Sequence, residues 1–540
     1  MKTPTFKKIS VGEIKGWLRE DILDLLPAAF LEDPVTFVRG TGGGVIKESK
    51  LRWAAILTLS SGRKIFIKRD KTKGWLEIFK YFILPSKGRK EWFMAYQLQK
   101  RNLAVPKPYG WMERVHQGLV KESYYISEAI GEGVSLSEES GILKEEGILT
   151  QLAKAVKKIH DSGLFHKDLH AGNFLWDGTS FFLTDLHRAR TLKSLSLNQK
   201  LWNLSHLFHS LRSAWEERER SLFIEKYFGE DSIPFRKKEK YLQKIDFWMG
   251  RLQKRHWKSR TKRCLKESTE FSVKMERGTI TYRRKDFPLD RLKKVVAIHL
   301  SCVKEKPSEL AKQSPEVVVS ILRDGGERIS VKQFRYPRLW DHIKEHFRPS
   351  KGLKSWIGGN GLRARGISSI KPLAFMERKN WRGRLESFLV MEALEYGKEL
   401  DRYLLNGFNN LKEKRLFIKT CAQWLSCLHK KDIYHQDMKS CNILVSKERG
   451  NWDFKLLDLE DVVLDAKVDE KKLFKNLLQL NTSIPRTFTR TDRLRFFQEY
   501  LRIHPIIKNE RSFIYHLVKK SRERGVVYVS PHGVVKEEHH

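Results

Sequence analysis

A chain of 540 residues is longer than one hydrophobic core usually serves, so two large domains are expected. Hydrophobic residues at 40%, with 30 Phe and 15 Trp, supply ample material for packed cores and exclude a wholly disordered chain. The formal charge of +40 must draw anions such as nucleic acid, acidic phospholipid or a phosphorylated substrate, without choosing among them.

No run approaches the roughly 20 apolar residues of a transmembrane segment. The basic residues around Lys7 and Lys8 lead into no apolar signal core, so the chain is expected to be cytoplasmic. The five cysteines are odd in number and form no C-x-x-C pair, which suggests neither a disulfide framework nor a zinc site.

In chain order, short strands are predicted up to about residue 70. Among them RGTGGGVIKES carries Gly40, Gly42, Gly43 and Gly44, which would let backbone N–H groups approach phosphate oxygens closely, although such a run is most often only a turn. Lys68 follows in the strand-like KIFIKRD, where it could hold the α and β phosphates of a nucleotide if a carboxylate positioned it. Glu91, on an amphipathic helix near Glu91 to Gln99, is the natural partner, because a lysine–glutamate pair is how kinases fix that lysine.

Strand is predicted again near Tyr124 to Ile130, then a helix with Leu149, Leu152, Val156 and Ile159 at helical spacing. The next loop reads His166-Lys167-Asp168 and, five residues on, Asn173. In this HxDxxxxN spacing the aspartate can accept a hydroxyl proton and the asparagine can ligate Mg²⁺. Asp185, in FFLTDLHRA, stands twelve residues past Asn173, where an acid ending a strand can bind the metal that bridges the phosphates of ATP. Each residue has an ordinary explanation alone; together their order is that of phosphoryl transfer.

Helices around Leu201 to Phe208 and Phe223 to Tyr227 close the first half, and the basic, poorly periodic stretch Gln253 to Lys266 is the expected seam. The plan then repeats. Residues 86–113 align without gaps to residues 350–377, with eleven of 28 positions identical, and the same offset carries Lys68 onto Lys332. Further on, GLFHKDLHAGNFLW aligns with DIYHQDMKSCNILV, preceded by Ile418, Cys421, Leu425 and Leu428 at helical spacing.

The second half thus keeps Lys332, His435, Asp437, Asn442 and Asp458. It is less complete elsewhere: Ser355 stands at the position of Glu91, with Glu345 as a substitute acid, and the only glycines shortly before Lys332, Gly325 and Gly326, read as a hairpin turn. The expected fold is α+β, two tandem bilobal protein-kinase-like domains over residues 1–250 and 255–540, each a strand-rich N-lobe and a helical C-lobe. Lys68 and Lys332 would orient phosphates, Asp168 and Asp437 would act on the acceptor, and Asn173, Asp185, Asn442 and Asp458 would hold Mg²⁺. Whether the second site turns over stays open.

At these residues the sequence resembles the lipopolysaccharide-core kinase family of the Kdo/WaaP type. EWFMAYQLQKRNLAVPKP and HKDLHAGNFL carry the resemblance in the first half; LRARGISSIKPLAF, HQDMKSCNILV and LNTSIPRTFTRTDRLRFF carry it in the second. DLH and DLE stand where protein kinases have DFG, and no APE triplet follows, leaving little room for a peptide-docking segment.

The resemblance implies ATP as phosphoryl donor and a heptose or Kdo hydroxyl of the lipopolysaccharide inner core, or another anionic glycolipid, as acceptor. The basic surface would then favour peripheral association with an anionic membrane at its cytoplasmic face. A protein Ser/Thr kinase and a tandem pseudokinase that binds without turnover are the competing readings. Nucleic acid is not expected, because no recognition motif accompanies the charge.

Overall fold

The structure is a computed structural model that describes residues 4–131, 133–229, 235–276, 278–336, 348–380, 383–394, 396–530 and 532–538. The chain divides into two compact units, Met1–Gln253 and Lys254–His540.

The first unit opens with an antiparallel sheet: β1 (Phe6–Val11), β2 (Ile14–Arg19), β3 (Gly44–Glu48), β4 (Arg52–Thr58), β5 (Lys64–Lys71), β6 (Pro108–His116) and β7 (Leu119–Glu128). They lie in the order β1-β2-β6-β7-β5-β4-β3. On β5 the alternation expected of a half-buried strand puts Ile65 and Ile67 into the core with Trp53, Tyr124 and Ile126. The strands expected up to residue 70 are interrupted by short helices, one of which begins at Pro34 because Asp33 caps it and proline is preorganised for the first helical position.

Between β5 and β6 come α1 (Gly74–Ile83) and α2 (Lys87–Lys100), the helix that carries Glu91. Ser86 accepts the Arg89 N–H as N-cap, and a Cβ on Gly88 would stand 2.5 Å from the Tyr124 carbonyl oxygen, so Ser-Lys-Gly lets the helix start hard against β7. The helical part holds α3 (Glu146–Asp161), α4 (Leu197–Leu211) and α5 (Glu217–Phe228). The residues at helical spacing on α3, Leu149, Leu152, Val156 and Ile159, are all buried there.

The second unit repeats this order with β13 to β19 once the short strands of the first helical part are counted: β8 (Val134–Ser135), β9 (Leu164–His166), β10 (Phe174–Trp176), β11 (Phe181–Leu183) and β12 (Ala189–Thr191). Its sheet comprises β13 (Phe271–Glu276), β14 (Thr279–Arg284), β15 (Lys312–Gln313), β16 (Val317–Asp324), β17 (Glu327–Arg335), β18 (Pro372–Asn380) and β19 (Gly383–Glu392). The order is β13-β14-β18-β19-β17-β16-β15, position for position that of the first sheet. Gly325 and Gly326, at φ 60° and 84°, close the two-residue hairpin between β16 and β17.

Its longer helices are α6 (Leu289–Glu305), α7 (Lys351–Ala364), α8 (Leu411–Lys430), α9 (Glu470–Asn481), α10 (Arg490–Ile503) and α11 (Glu510–Arg524). Ser350 caps α7 as Ser86 caps α2, and a Cβ on Gly352 would meet Ser387 Oγ at 2.6 Å. The expected seam, Gln253 to Lys266, begins inside a helix over Phe235–Thr261, and the division between the units falls within that helix.

A buried network shows how far the duplication reaches. His160 Nδ1 lies 2.6 Å from the Tyr227 hydroxyl and its Nε2 3.3 Å from Asn203 Oδ1, while Asn203 Nδ2 donates to the His166 carbonyl at 2.6 Å. His429, Tyr500, Asn476 and His435 make the same contacts at 2.8, 3.2 and 2.7 Å. In each unit it ties α3 or α8 to the loop bearing the HxD motif.

Candidate active site

In the first unit the sheet and the helical part bring three predicted residues together. Lys68 Nζ donates to Glu91 Oε2 at 2.9 Å and Oε1 at 3.2 Å, and to Asp185 Oδ1 at 2.6 Å. Burial works against the Lys68 ammonium, but the Glu91 and Asp185 charges outweigh it and hold its pKa above the ordinary lysine value. Glu91, fully enclosed, is pushed up by burial. Asp185 is held well down, against burial, by its hydrogen bond to His187 and the charge of Lys68.

Ligand atoms of Glu91, Asp185 and His187 lie within 4.8 Å of one another. The Lys68 ammonium bonds both carboxylates, so the cation that gathers these two acids belongs to the protein.

Asp185 takes a left-handed backbone, φ 59° and ψ 47°. Its carbonyl accepts from His166 Nε2 at 3.1 Å, while His166 Nδ1 accepts the Asp168 N–H at 3.2 Å. Those two bonds require the neutral Nε2–H tautomer, and burial lowers the His166 pKa accordingly. Thus the histidine of the motif is a spacer that sets Asp168 against Asp185.

Asn173 Nδ2 donates to the Asp168 carbonyl at 2.8 Å, and the Thr184 N–H donates to the Asn173 carbonyl at 2.8 Å. Oδ1 of Asn173 and Oδ2 of Asp185 have no protein hydrogen-bond partner among the described residues. Two oxygens from neighbouring segments, one of them charged, suit Mg²⁺, which prefers few protein ligands and keeps waters and phosphates.

Two residues that sequence reasoning missed hold Asp168. Arg188 Nη1 donates to its Oδ2 at 2.8 Å, and His206 Nδ1 lies 3.6 Å from its Oδ1. His206 first, then the charges of His170 and Arg188, keep the Asp168 carboxyl below the ordinary value despite burial.

The glycine run is not part of this group. Strand register sets Gly44 opposite Ile56, two residues from the level of Ala54 and Lys68, and the chain back through Gly43, Gly42 and Gly40 leads further off. Gly42, Gly43 and Gly44 line a cavity with Asp24–Pro27 and Leu57–Ser60, and the β3–β4 turn, at Ser49 to Leu51, lies at the other end of the strand. A Cβ on Gly43 would stand 2.5 Å from Val38 Cγ1, which gives that glycine a packing reason.

The second unit assembles the same site with its acid moved. Lys332 Nζ donates to Asp458 Oδ1 at 2.7 Å and to Glu460 Oε1 and Oε2 at 2.9 and 3.1 Å. Ser355, where α2 has Glu91, instead donates its hydroxyl to Glu460 Oε2 at 2.8 Å. The substitute acid is therefore Glu460 of the DLE triplet, at the position of His187; Glu345 lies outside the described residues.

Glycines on α7 make this possible. A Cβ on Gly358 would sit 2.5 Å from the Leu459 carbonyl oxygen, and one on Gly361 2.1 Å from Leu464 Cδ1. The helix thus closes on the segment bearing Glu460, where α2 carries Met94 and Gln97. His435 spans the Asp437 N–H and the Leu457 carbonyl, Asn442 Nδ2 donates to the Asp437 carbonyl at 2.8 Å, and Asp458 is left-handed at φ 43°. Asp437 has Lys439 at 3.0 Å and Gln479 at 3.3 Å.

The family model for the lipopolysaccharide kinase (Kdo/WaaP) family matches residues 49–227 and 360–500. Among solved structures, WaaP in complex with acyl carrier protein is 19% identical with a TM-score of 0.31, covering 40% of this chain and 88% of that one. A Stt7 homolog from Micromonas algae, soaked with ATP, is 14% identical with a TM-score of 0.22, covering 27% and 48%. No curated protein matches.

Proposed function

The chain belongs to the lipopolysaccharide kinase (Kdo/WaaP) family, and we propose that it transfers the γ-phosphoryl group of ATP to a heptose or Kdo hydroxyl of the lipopolysaccharide inner core. The observation that carries the reading is the Lys68 ammonium shared between Glu91 and Asp185, with Asp168 and Asn173 bonded to each other beside it.

Lys68, fixed by two carboxylates, aligns the α and β phosphates. Asp168 orients the acceptor hydroxyl and takes its proton; the hydroxyl oxygen bonds to the γ phosphorus as the bond to the bridging oxygen breaks, and ADP leaves with that electron pair. Asn173 and Asp185 would hold Mg²⁺, whose charge, when bound, offsets that of the phosphates. Arg188 and His206 keep Asp168 ionised and aimed. Lys332, Asp437, Asn442 and Asp458 play the same parts in the second unit, with Glu460 in place of Glu91, so we assign turnover to both sites.

No helix among the described residues is long and apolar enough to cross a membrane. We place the protein in the cytoplasm, at the inner face of a membrane whose anionic lipids attract its +40 charge. Incubation with labelled ATP and purified lipopolysaccharide core tests the function: label should enter the core sugars. Label that enters only added generic protein substrates contradicts it.

A further inference from the structure

Helix α1, GWLEIFKYFI, is amphipathic in the wrong sense for a helix packed on a soluble domain. Its inward side sets Ile78 beside a polar clamp: Glu77 accepts the Lys73 N–H at 2.6 Å, the Tyr81 hydroxyl at 3.0 Å and the Lys87 ammonium at 2.7 Å. Its outward side is Trp75, Leu76, Phe79, Phe82 and Ile83, at i, i+1, i+4, i+7 and i+8, each between 62% and 88% exposed. Trp75 and Phe82 pack only edgewise and obliquely on Phe79, at 6.0 and 6.2 Å between ring centres. Five large side chains on one helix face, held outward by a carboxylate clamp, are a surface built to be covered.

Charge around the helix says by what. Lys73 and Lys80 form no ion pair among the described residues. Lys90, on α2, is lowered in pKa by burial and then by repulsion from Lys167 and Lys80, so lysines of α1, α2 and the HxD loop crowd one another. Such a cluster calls for an anion. A second copy of a chain carrying +40 would add the same lysines instead of relieving them.

We propose that α1 is an interfacial membrane-binding element, its Trp75, Leu76, Phe79, Phe82 and Ile83 face entering the headgroup–acyl boundary of an anionic phospholipid surface while Lys73, Lys80 and Lys90 meet lipid phosphates. This deepens the membrane-face reading given above by naming the surface that makes the contact. The helix joins β5, which bears Lys68, to α2, which bears Glu91, and Lys167 adjoins Asp168. A lipid-linked anionic acceptor held there is presented beside the residue that activates its hydroxyl.

The test is flotation of the intact protein with phosphatidylglycerol-containing vesicles and with pure phosphatidylcholine vesicles, beside F79S/F82S and K73E/K80E variants. The wild type should float with the anionic vesicles only. F79S/F82S should lose at least tenfold of the bound fraction, and K73E/K80E should lose most of it at low salt, with thermal midpoints unchanged because these side chains are exposed. A wild type that stays in the load fraction, variants that float equally well, or a soluble dimer dissolved by F79S/F82S overturns the proposal. Transfer to a deacylated, water-soluble core acceptor, measured in parallel, separates the two readings: a wild type that transfers phosphate but does not float rejects only the docking, and a wild type that floats but does not transfer rejects only the kinase assignment.

Discussion

Glu460 accepts both hydrogen bonds of the Lys332 ammonium that Glu91 accepts from Lys68, yet it comes from the opposite side of the cleft, two residues past Asp458 instead of from the helix. The ion pair is conserved as chemistry while its acid has moved from α2 to the segment facing α7.

Replacing that acid should silence the second site alone. In an Asp168→Asn background, Glu460→Gln removes a charge-assisted hydrogen bond contributing about 1.5–3 kcal/mol, which is roughly a 10- to 150-fold loss of kcat/KM. Steady-state phosphotransfer measures it. Activity within twofold of the parent would show that Lys332 is positioned by something else.

The glycines of α7 should be as sensitive as the acid they admit. Alanine ordinarily favours a helix over glycine by about 1 kcal/mol, but Gly358→Ala drives a methyl against the Leu459 carbonyl oxygen, and overpacking costs about 1–3 kcal/mol. Chemical denaturation should show net destabilisation of the second unit and weakened nucleotide binding there. A stabilised protein contradicts the close approach.

Asp168 owes its low pKa to His206, His170 and Arg188 acting against burial. With Arg188 and His206 both changed to Ala, burial dominates and the pKa rises. If, as proposed, the ionised form takes the acceptor proton, the acid limb of the kcat/KM profile should move to higher pH. An unmoved limb, with only the plateau lowered, would mean that the two side chains act on geometry alone.

The buried histidines make the fold acid-sensitive. Burial pushes His160 down to about 3 and His429 to about 4, from an ordinary value of 6.5. Between those values and 6.5 the unfolded chain binds protons that the folded chain does not. The stability that these groups contribute is therefore complete above pH 6.5 and is lost as pH falls, by up to about 1.4 kcal/mol per pH unit for each histidine. Thermal midpoints of the wild type should drop below pH 6.5, and those of His160→Gln with His429→Gln should drop less.

Spacing made much of this site legible. Lys68, Glu91, Asp168, Asn173 and Asp185 could be named because phosphoryl transfer demands those residue types in that order, and the strand-then-helix plan followed from hydrophobic periodicity and the repeat. The glycine run misled because composition marks a tight backbone without saying which end of β3 holds it. Glu460 escaped because alignment put it opposite His187, and only a fold that lets α7 approach Leu459 turns that position toward Lys332. Arg188 and His206 reach Asp168 across 20 and 38 residues, a proximity that no spacing rule encodes. The apolar outer face of α1 reads in sequence as an ordinary buried helix, since periodicity shows that a face exists and not which way it points.

The most direct measurement is transfer of labelled γ-phosphate to purified lipopolysaccharide core by the wild type, Asp168→Asn, Asp437→Asn and the double variant, with nucleotide binding measured on the same samples. Each single variant should lose the share of one site, and the double variant should fall by roughly 100- to 10,000-fold while still binding ATP. A double variant that transfers phosphate at the wild-type rate would contradict the account, because the hydroxyl would then be activated elsewhere.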